Sequence, residues 1–188
     1  MKLAAFITAR MDNIVAEFVA FAGTLEPASL CNSVAELRDH AREILTDIAA
    51  GLAVVETPKE KKDKSFGQVS EASGPDSAAA AHGAARQSSG FTLPQLTGEY
   101  RALRASVLRL WMPTIKTVTK ETIDDLSRFH AGIDQALQES AIKFSERTDR
   151  ARDTFLAILG HDLRSPLATM TMAGIFLTRK DEGTERTS

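Results

Sequence analysis

Apolar residues recur at spacings of three and four along most of the chain and rarely alternate, so the pattern predicts helices and gives little sign of strands. Ile14, Phe18, Phe21 and Leu25 fall on one side of a helix starting near Asp12 or Asn13, either of which can cap it. Val15 and Ala22 flank that face, and Glu26-Pro27 ends it. A capping box, Ser33-x-x-Glu36, opens the next helix, whose stripe runs Val34, Leu37, Ala41, Ile44, Ile48, Leu52, Val55. His40 and Arg42 lie beside this stripe as solvated or hydrogen-bonded residues. From Thr57 to Asp76 the sequence turns to Pro, Lys, Ser and Gly, has little to pack, and reads as a loop. Ser77 to Ser89 is alanine-rich and predicts a short helix stopped by Gly90. Thr92, Pro94 and Gln95 then start a helix with Leu96, Leu103, Val107 and Leu110 on one face.

Trp111-Met112-Pro113 marks a boundary, because the residue before a proline avoids helical backbone while the proline itself opens a new helix well. Beyond it, Ile123, Leu126, His130, Ile133, Leu137, Ser140, Phe144, Arg147, Ala151 and Ile158 follow a seven-residue repeat with polar interruptions. Such a seam predicts a two-stranded parallel coil. The interruptions weaken its packing, which suits a helix that shifts to carry a signal and suits an ordinary marginal coil equally.

Composition adds limits. The chain has 188 residues and a formal net charge of −2, which gives no argument for nucleic acid or an anionic membrane as partner. A single cysteine, Cys31, excludes an intrachain disulfide and points to a reducing, cytoplasmic setting. Apolar runs such as Leu3 to Ala9 are too short to span a bilayer and poorly flanked for a signal peptide. His82 has no second Cys, His or acid at ligand spacing, so it reads as a packed or capping histidine, and neither metal nor another cofactor is expected.

The residues that read as chemistry are Phe155-Leu-Ala-Ile-Leu-Gly-His161-Asp162-Leu-Arg164-Ser165-Pro166-Leu167. On a helix, Phe155, Ile158, Leu159, Asp162 and Leu163 surround one apolar face, and His161 and Ser165 share a neighbouring polar one. Pro166 offers no N–H to the Asp162 carbonyl and crowds it, so the helix should bend or loosen there. Leu167, Met170, Gly174 and Leu177 continue the stripe, and Asp181 to Ser188 is a polar tail. The stretch from Phe155 to Leu167 resembles the H-box of sensor histidine kinases of the HisKA dimerization and phosphoacceptor type. Gly160 stands where that family usually has Ser, and Asp162 where Glu is commoner.

The resemblance implies that His161 accepts the γ-phosphate of ATP and passes it to an aspartate on a response regulator receiver domain. Imidazole is nucleophilic near neutral pH without a strong base. Asp162 is then the candidate general base, fixing the tautomer from the other ring nitrogen. Ser165 would orient water for the reverse, phosphatase reaction, and Arg164 would pair with phosphate oxygens or the partner's acids. Each of these three side chains also reads as plain solvation of a helix surface. Residues 6–111 resemble the RsbRD-type N-terminal domain of stressosome proteins and of some soluble bacterial histidine kinases. The carrying residues are Leu37-Arg-Asp-His40 with Ile44 and Leu45, Lys64-Ser65-x-Gly67, His82-Gly83-x-x-Arg86-x-x-x-Gly90-Phe91 and Glu99-Tyr-Arg-Ala-Leu-Arg104.

These readings combine into an all-α chain. The resemblances imply a sensory helical bundle of globin-like outline over residues 1–112, a signalling coiled-coil helix over 113–150, and the first helix of a dimeric phosphoacceptor four-helix bundle over 151–188. The sequence has neither the Asn-bearing and glycine-rich nucleotide boxes of the family nor a Walker-type run, so ATP and Mg enter through a histidine kinase ATP-binding domain in trans. The expected partners are a second copy, through residues 114–180, that ATP-binding domain and the receiver domain. The alternative is a non-catalytic, stressosome-like or dominant-negative subunit pairing with full-length kinases through the same coil.

Overall fold

The computed structural model describes residues 1–24, 34–54, 59 and 77–185, the side chains of Val34 and of 175–185 excepted. Every regular element among them is helical: α1 (Leu3–Ala9), α2 (Met11–Ala22), α3 (Val34–Ala53), α4 (Ala78–Ser88), α5 (Leu93–Trp111), a 3-10 turn (Met112–Thr114) and α6 (Lys120–Glu185). The expected all-α class is what is found. None of these helices is long and apolar enough to cross a membrane. Leu25, Glu26-Pro27, Cys31, Ser33, Val55 and, apart from Lys59, the loop expected from Thr57 to Asp76 lie outside the described residues.

The first difference from the sequence pattern is α1. Its apolar residues Leu3, Phe6 and Ile7 are buried, but seven residues span barely two turns and no side chain caps their start. The missing cap comes from far along the chain: the Leu3 N–H donates to Asp125 Oδ2 at 2.9 Å. Because α1 ends at a tight joint, α2 begins at Met11 with Arg10 in the cap position, and Asp12 sits inside the first turn instead of capping it. Asp12 accepts from Arg42 at 2.6 Å, and its charge also suits a helix N-terminus. Ile14, Val15, Phe18 and Ala22 are buried as the periodicity requires, while Phe21 is half-buried.

The α3 stripe faces inward at Leu37, Ala41, Ile44, Ile48 and Leu52, widened by Leu45 and Ala49. It packs on α1, α2 and α4, and α2 packs on α5. The α4 helix begins with Ser77, whose Oγ accepts from the Ala80 N–H at 3.1 Å. It ends at Gly90, with φ of 74°. The Gly90 N–H reaches the Gln87 carbonyl and the Phe91 N–H reaches the Arg86 carbonyl, a Schellman closure that requires left-handed backbone at the glycine. Gly90→Ala should therefore cost roughly 1–2 kcal/mol, read as a lower urea midpoint at unchanged slope. In α5 the Gln95 side chain accepts from the Thr92 N–H at 2.8 Å. Leu96, Leu103, Val107 and Trp111 are buried and Leu110 half-buried.

Trp111 does end its helix, but Pro113 opens only a 3-10 turn, and the long helix starts at Lys120 after Thr119. The chain divides into two compact units, Met1–Arg147 and Thr148–Ser188. Residues 120–147 thus share one unit with the N-terminal helices, where a separate segment over 113–150 was expected. Phe129, Ile133, Ala136 and Ser140 are buried in it, and Leu126, Leu137 and Phe144 pack against its core.

Polar contacts run the length of this docked stretch. The Arg128 guanidinium donates to the carbonyls of Gly51, Leu52 and Val54 at 2.7, 2.9 and 2.5 Å. Arg104 pairs with Asp134. Ser77 Oγ donates to Glu139 at 2.6 Å, and Arg147 donates to Ser88 Oγ at 2.7 Å. In the second unit the helical span continues through Pro166 without a break.

Candidate functional site

In the Thr148–Ser188 unit, His161 and Asp162 stand in water, with 83% and 70% of their side chains exposed. Helix geometry turns consecutive side chains well apart, yet His161 Nδ1 lies 3.3 Å from Asp162 Oδ1. That is just beyond ordinary hydrogen-bond length. In the tautomer whose Nδ1–H faces the carboxylate, the lone pair lies on Nε2 of a side chain that is 83% exposed. Ser165 is exposed one turn further on, and its carbonyl accepts from Thr169 Oγ1 at 3.1 Å. Arg164 is exposed as well. The four residues singled out by the sequence are thus carried on one helix, but only His161 and Asp162 touch.

The apolar stripe beside them is uncovered. Phe155, Leu156, Ile158, Leu163, Leu167 and Met170 are all more than half exposed, and Leu159 is at 39%; Met172, also exposed, falls on the His161 and Ser165 side of the helix. An apolar row of this length is rare on a monomeric surface and normally meets another helix.

The Met1–Arg147 unit holds a second polar constellation, fully buried. Glu99 accepts from Arg86 Nη2 at 2.6 Å and Arg86 Nε at 3.0 Å, a bidentate pair, and its Oε2 lies 2.9 Å from His82 Nε2. The Arg86 guanidinium also lies 4.4 Å from the centroid of the Phe91 ring. His82 is packed edge-on against His40 and Tyr100. The packed role read for His82 agrees with this placement, and its partner acid comes from the following helix, not from nearby sequence.

Next to Glu99, the Tyr100 hydroxyl is 2.6 Å from Ser140 Oγ, and Ser140 donates to the Ala79 carbonyl. With the Ser140 proton committed, Tyr100 must be the donor in its own contact. Burial pushes the Tyr100 phenol well above its usual value, so the donor proton stays on. The sequence reading named Glu99 and Tyr100 only among the residues that carry a family resemblance and gave them no chemical role. The signal was present: Leu96, Glu99, Tyr100 and Leu103 follow helical spacing, so a carboxylate and a phenol stand on a buried stripe and need partners.

His40 is half-buried at the edge of this cluster. Burial, then the His82 and Arg86 charges, lower its pKa from the ordinary histidine value despite Glu43 and Glu36 nearby. The unfolded chain therefore binds this proton more readily than the folded one. Its stabilising contribution is complete above the unfolded pKa of about 6.5 and is lost as pH falls through the folded value. Urea midpoints between pH 7.5 and 5.5 should accordingly drop further for the parent than for His40→Gln.

No family model, no curated protein and no solved structure matches this sequence significantly.

Proposed function

We propose that the chain is the input, signalling and phosphoacceptor portion of a cytoplasmic sensor histidine kinase. The observation that supports this best is a solvent-exposed His161 whose Nδ1 faces the Asp162 carboxylate, leaving Nε2 open, inside the H-box pattern read from the sequence. In this reading a histidine kinase ATP-binding domain brings ATP and Mg. His161 Nε2 forms a bond to the γ-phosphorus as the bond to the departing ADP oxygen breaks. The imidazolium charge that builds is met by Asp162 at Nδ1. The phosphoryl group then leaves for a carboxylate on a receiver domain, and Ser165 and Arg164 serve its hydrolysis and its oxyanions.

The uncovered stripe from Phe155 to Met170 supports pairing of two copies in a four-helix phosphoacceptor bundle, within the expected interface over 114–180. Residues 1–112, the segment that resembles a sensory domain in sequence, supply the input. The test is incubation of the purified chain with labelled ATP and an isolated, active histidine kinase ATP-binding domain. Acid-labile label on the parent and none on His161→Ala is the expected result. No label on the parent, with the domain active on its own substrate, overturns the reading in favour of an interaction subunit that uses the stripe alone.

A further inference from the structure

The seven-residue seam and the bundle make competing claims on one stretch of α6. Leu126, His130, Ile133, Leu137, Ser140 and Phe144 keep the alternate three-four spacing of a two-stranded coil. In the structure, the same stretch is docked within its own chain. Docking buries Phe129, Ile133 and Ala136 and gives two of the polar seam residues partners: Ser140 meets Ala79 and Tyr100, and Arg147 meets Ala84 and Ser88. It leaves Ile123 and Ile142 exposed, and Leu126, Leu137 and Phe144 only partly covered. A coil with a second copy reverses the balance. It would cover Ile123, Leu126, Leu137 and Phe144, but would set Ser140 against Ser140 and Arg147 against Arg147. Each arrangement covers groups that the other leaves exposed, so the two compete for the same face of α6.

We infer that residues 126–144 have two alternative partners, the chain's own bundle and the same stretch of a second copy, and that the contact at Ser140 decides between them. Ser140 is fully buried and its hydroxyl bridges α4 and α5. Directly beneath it, Gly83 lets the backbones meet: a Cβ there would lie 2.7 Å from the Ser140 carbonyl carbon and 2.8 Å from its Cα. No side chain fits in that space. Tyr100 is held from the other side, because Glu99, the preceding residue, is fixed by Arg86 and His82. Whatever rearranges that ion-pair cluster moves the hydroxyl that holds α6, and the released helix is the one that carries His161 further along. The inference shares with the proposed function the pairing of two copies, and it does not depend on phosphate transfer.

The test places a spin label at exposed Ile142→Cys in a Cys31→Ser chain and measures the distance between labels on two copies. In the parent, the docked state should give no short distance. Gly83→Ala, which alters no seam residue but excludes α6 from its seat, should create the short spacing of a two-stranded coil, and Tyr100→Phe should create it in part. Circular dichroism shows whether each variant stays helical; if Gly83→Ala does not, Tyr100→Phe decides. A helical variant with no shorter distance than the parent, or a parent already at the short distance throughout, overturns the inference. Labelled ATP plays no part in this readout, so failure of His161 to accept phosphate would leave it standing.

Discussion

Glu99→Gln is expected to lower stability by roughly 3–5 kcal/mol, the range for removing one partner of a buried ion pair. The substitution keeps the shape but removes the charge and replaces one accepting oxygen with an NH2 donor. Arg86 is fully buried, and its bidentate acceptor would lose half of what holds a guanidinium out of water. The Phe91 ring contact is present in parent and variant alike, so it does not make good that loss. Against a typical total of about 5–15 kcal/mol, the loss should appear as a large fall in the urea midpoint. Adding Arg86→Met should recover part of it, since no buried cation then lacks a full partner. A double variant as unstable as the sum of the two singles would show that the pair does not act as a unit.

Asp162→Asn is expected to retain His161 as the acceptor but slow its loading by about 10²- to 10⁴-fold, the usual worth of a positioned acid or base. The amide can still reach Nδ1 but brings no negative charge to meet the forming imidazolium. A conserved tautomer with a lost charge predicts a slower single-turnover rate at saturating catalytic domain and little change in the concentration needed to saturate it. Both side chains are exposed, so folding should be untouched, and the urea midpoint of Asp162→Asn should match the parent. A rate equal to the parent's would reduce Asp162 to a solvating residue of the helix surface.

Helix identity was legible wherever local chemistry writes it. Ser77 and Gly90 bound α4, and Thr92 with Gln95 opens α5, because caps and stops act within a few residues. The α1 helix was missed for the complementary reason: its N-terminal partner, Asp125, lies on α6 and leaves no trace beside Leu3. The seam from Leu126 to Phe144 was legible as periodicity, but periodicity names a buried face without naming its partner, and in the structure the chain's own bundle occupies it. At the candidate site, His161 and Asp162 are neighbours in sequence and in space. Glu99, His82 and Arg86 come together only through the α4–α5 turn, so their pairing needed the fold.

Arg128 gives the bundle a gauge of its own. One guanidinium from α6 holds three carbonyls at the end of α3, so the final turn of that helix is fastened by a residue that belongs to another element. If α6 swings away, those carbonyls turn to water and the turn unravels, while the middle of α3, packed on α1 and α2, keeps its protection. Hydrogen exchange at amides 51–54, compared with amides 41–48 of the same helix, would thus record the position of α6 from inside the unlabelled chain.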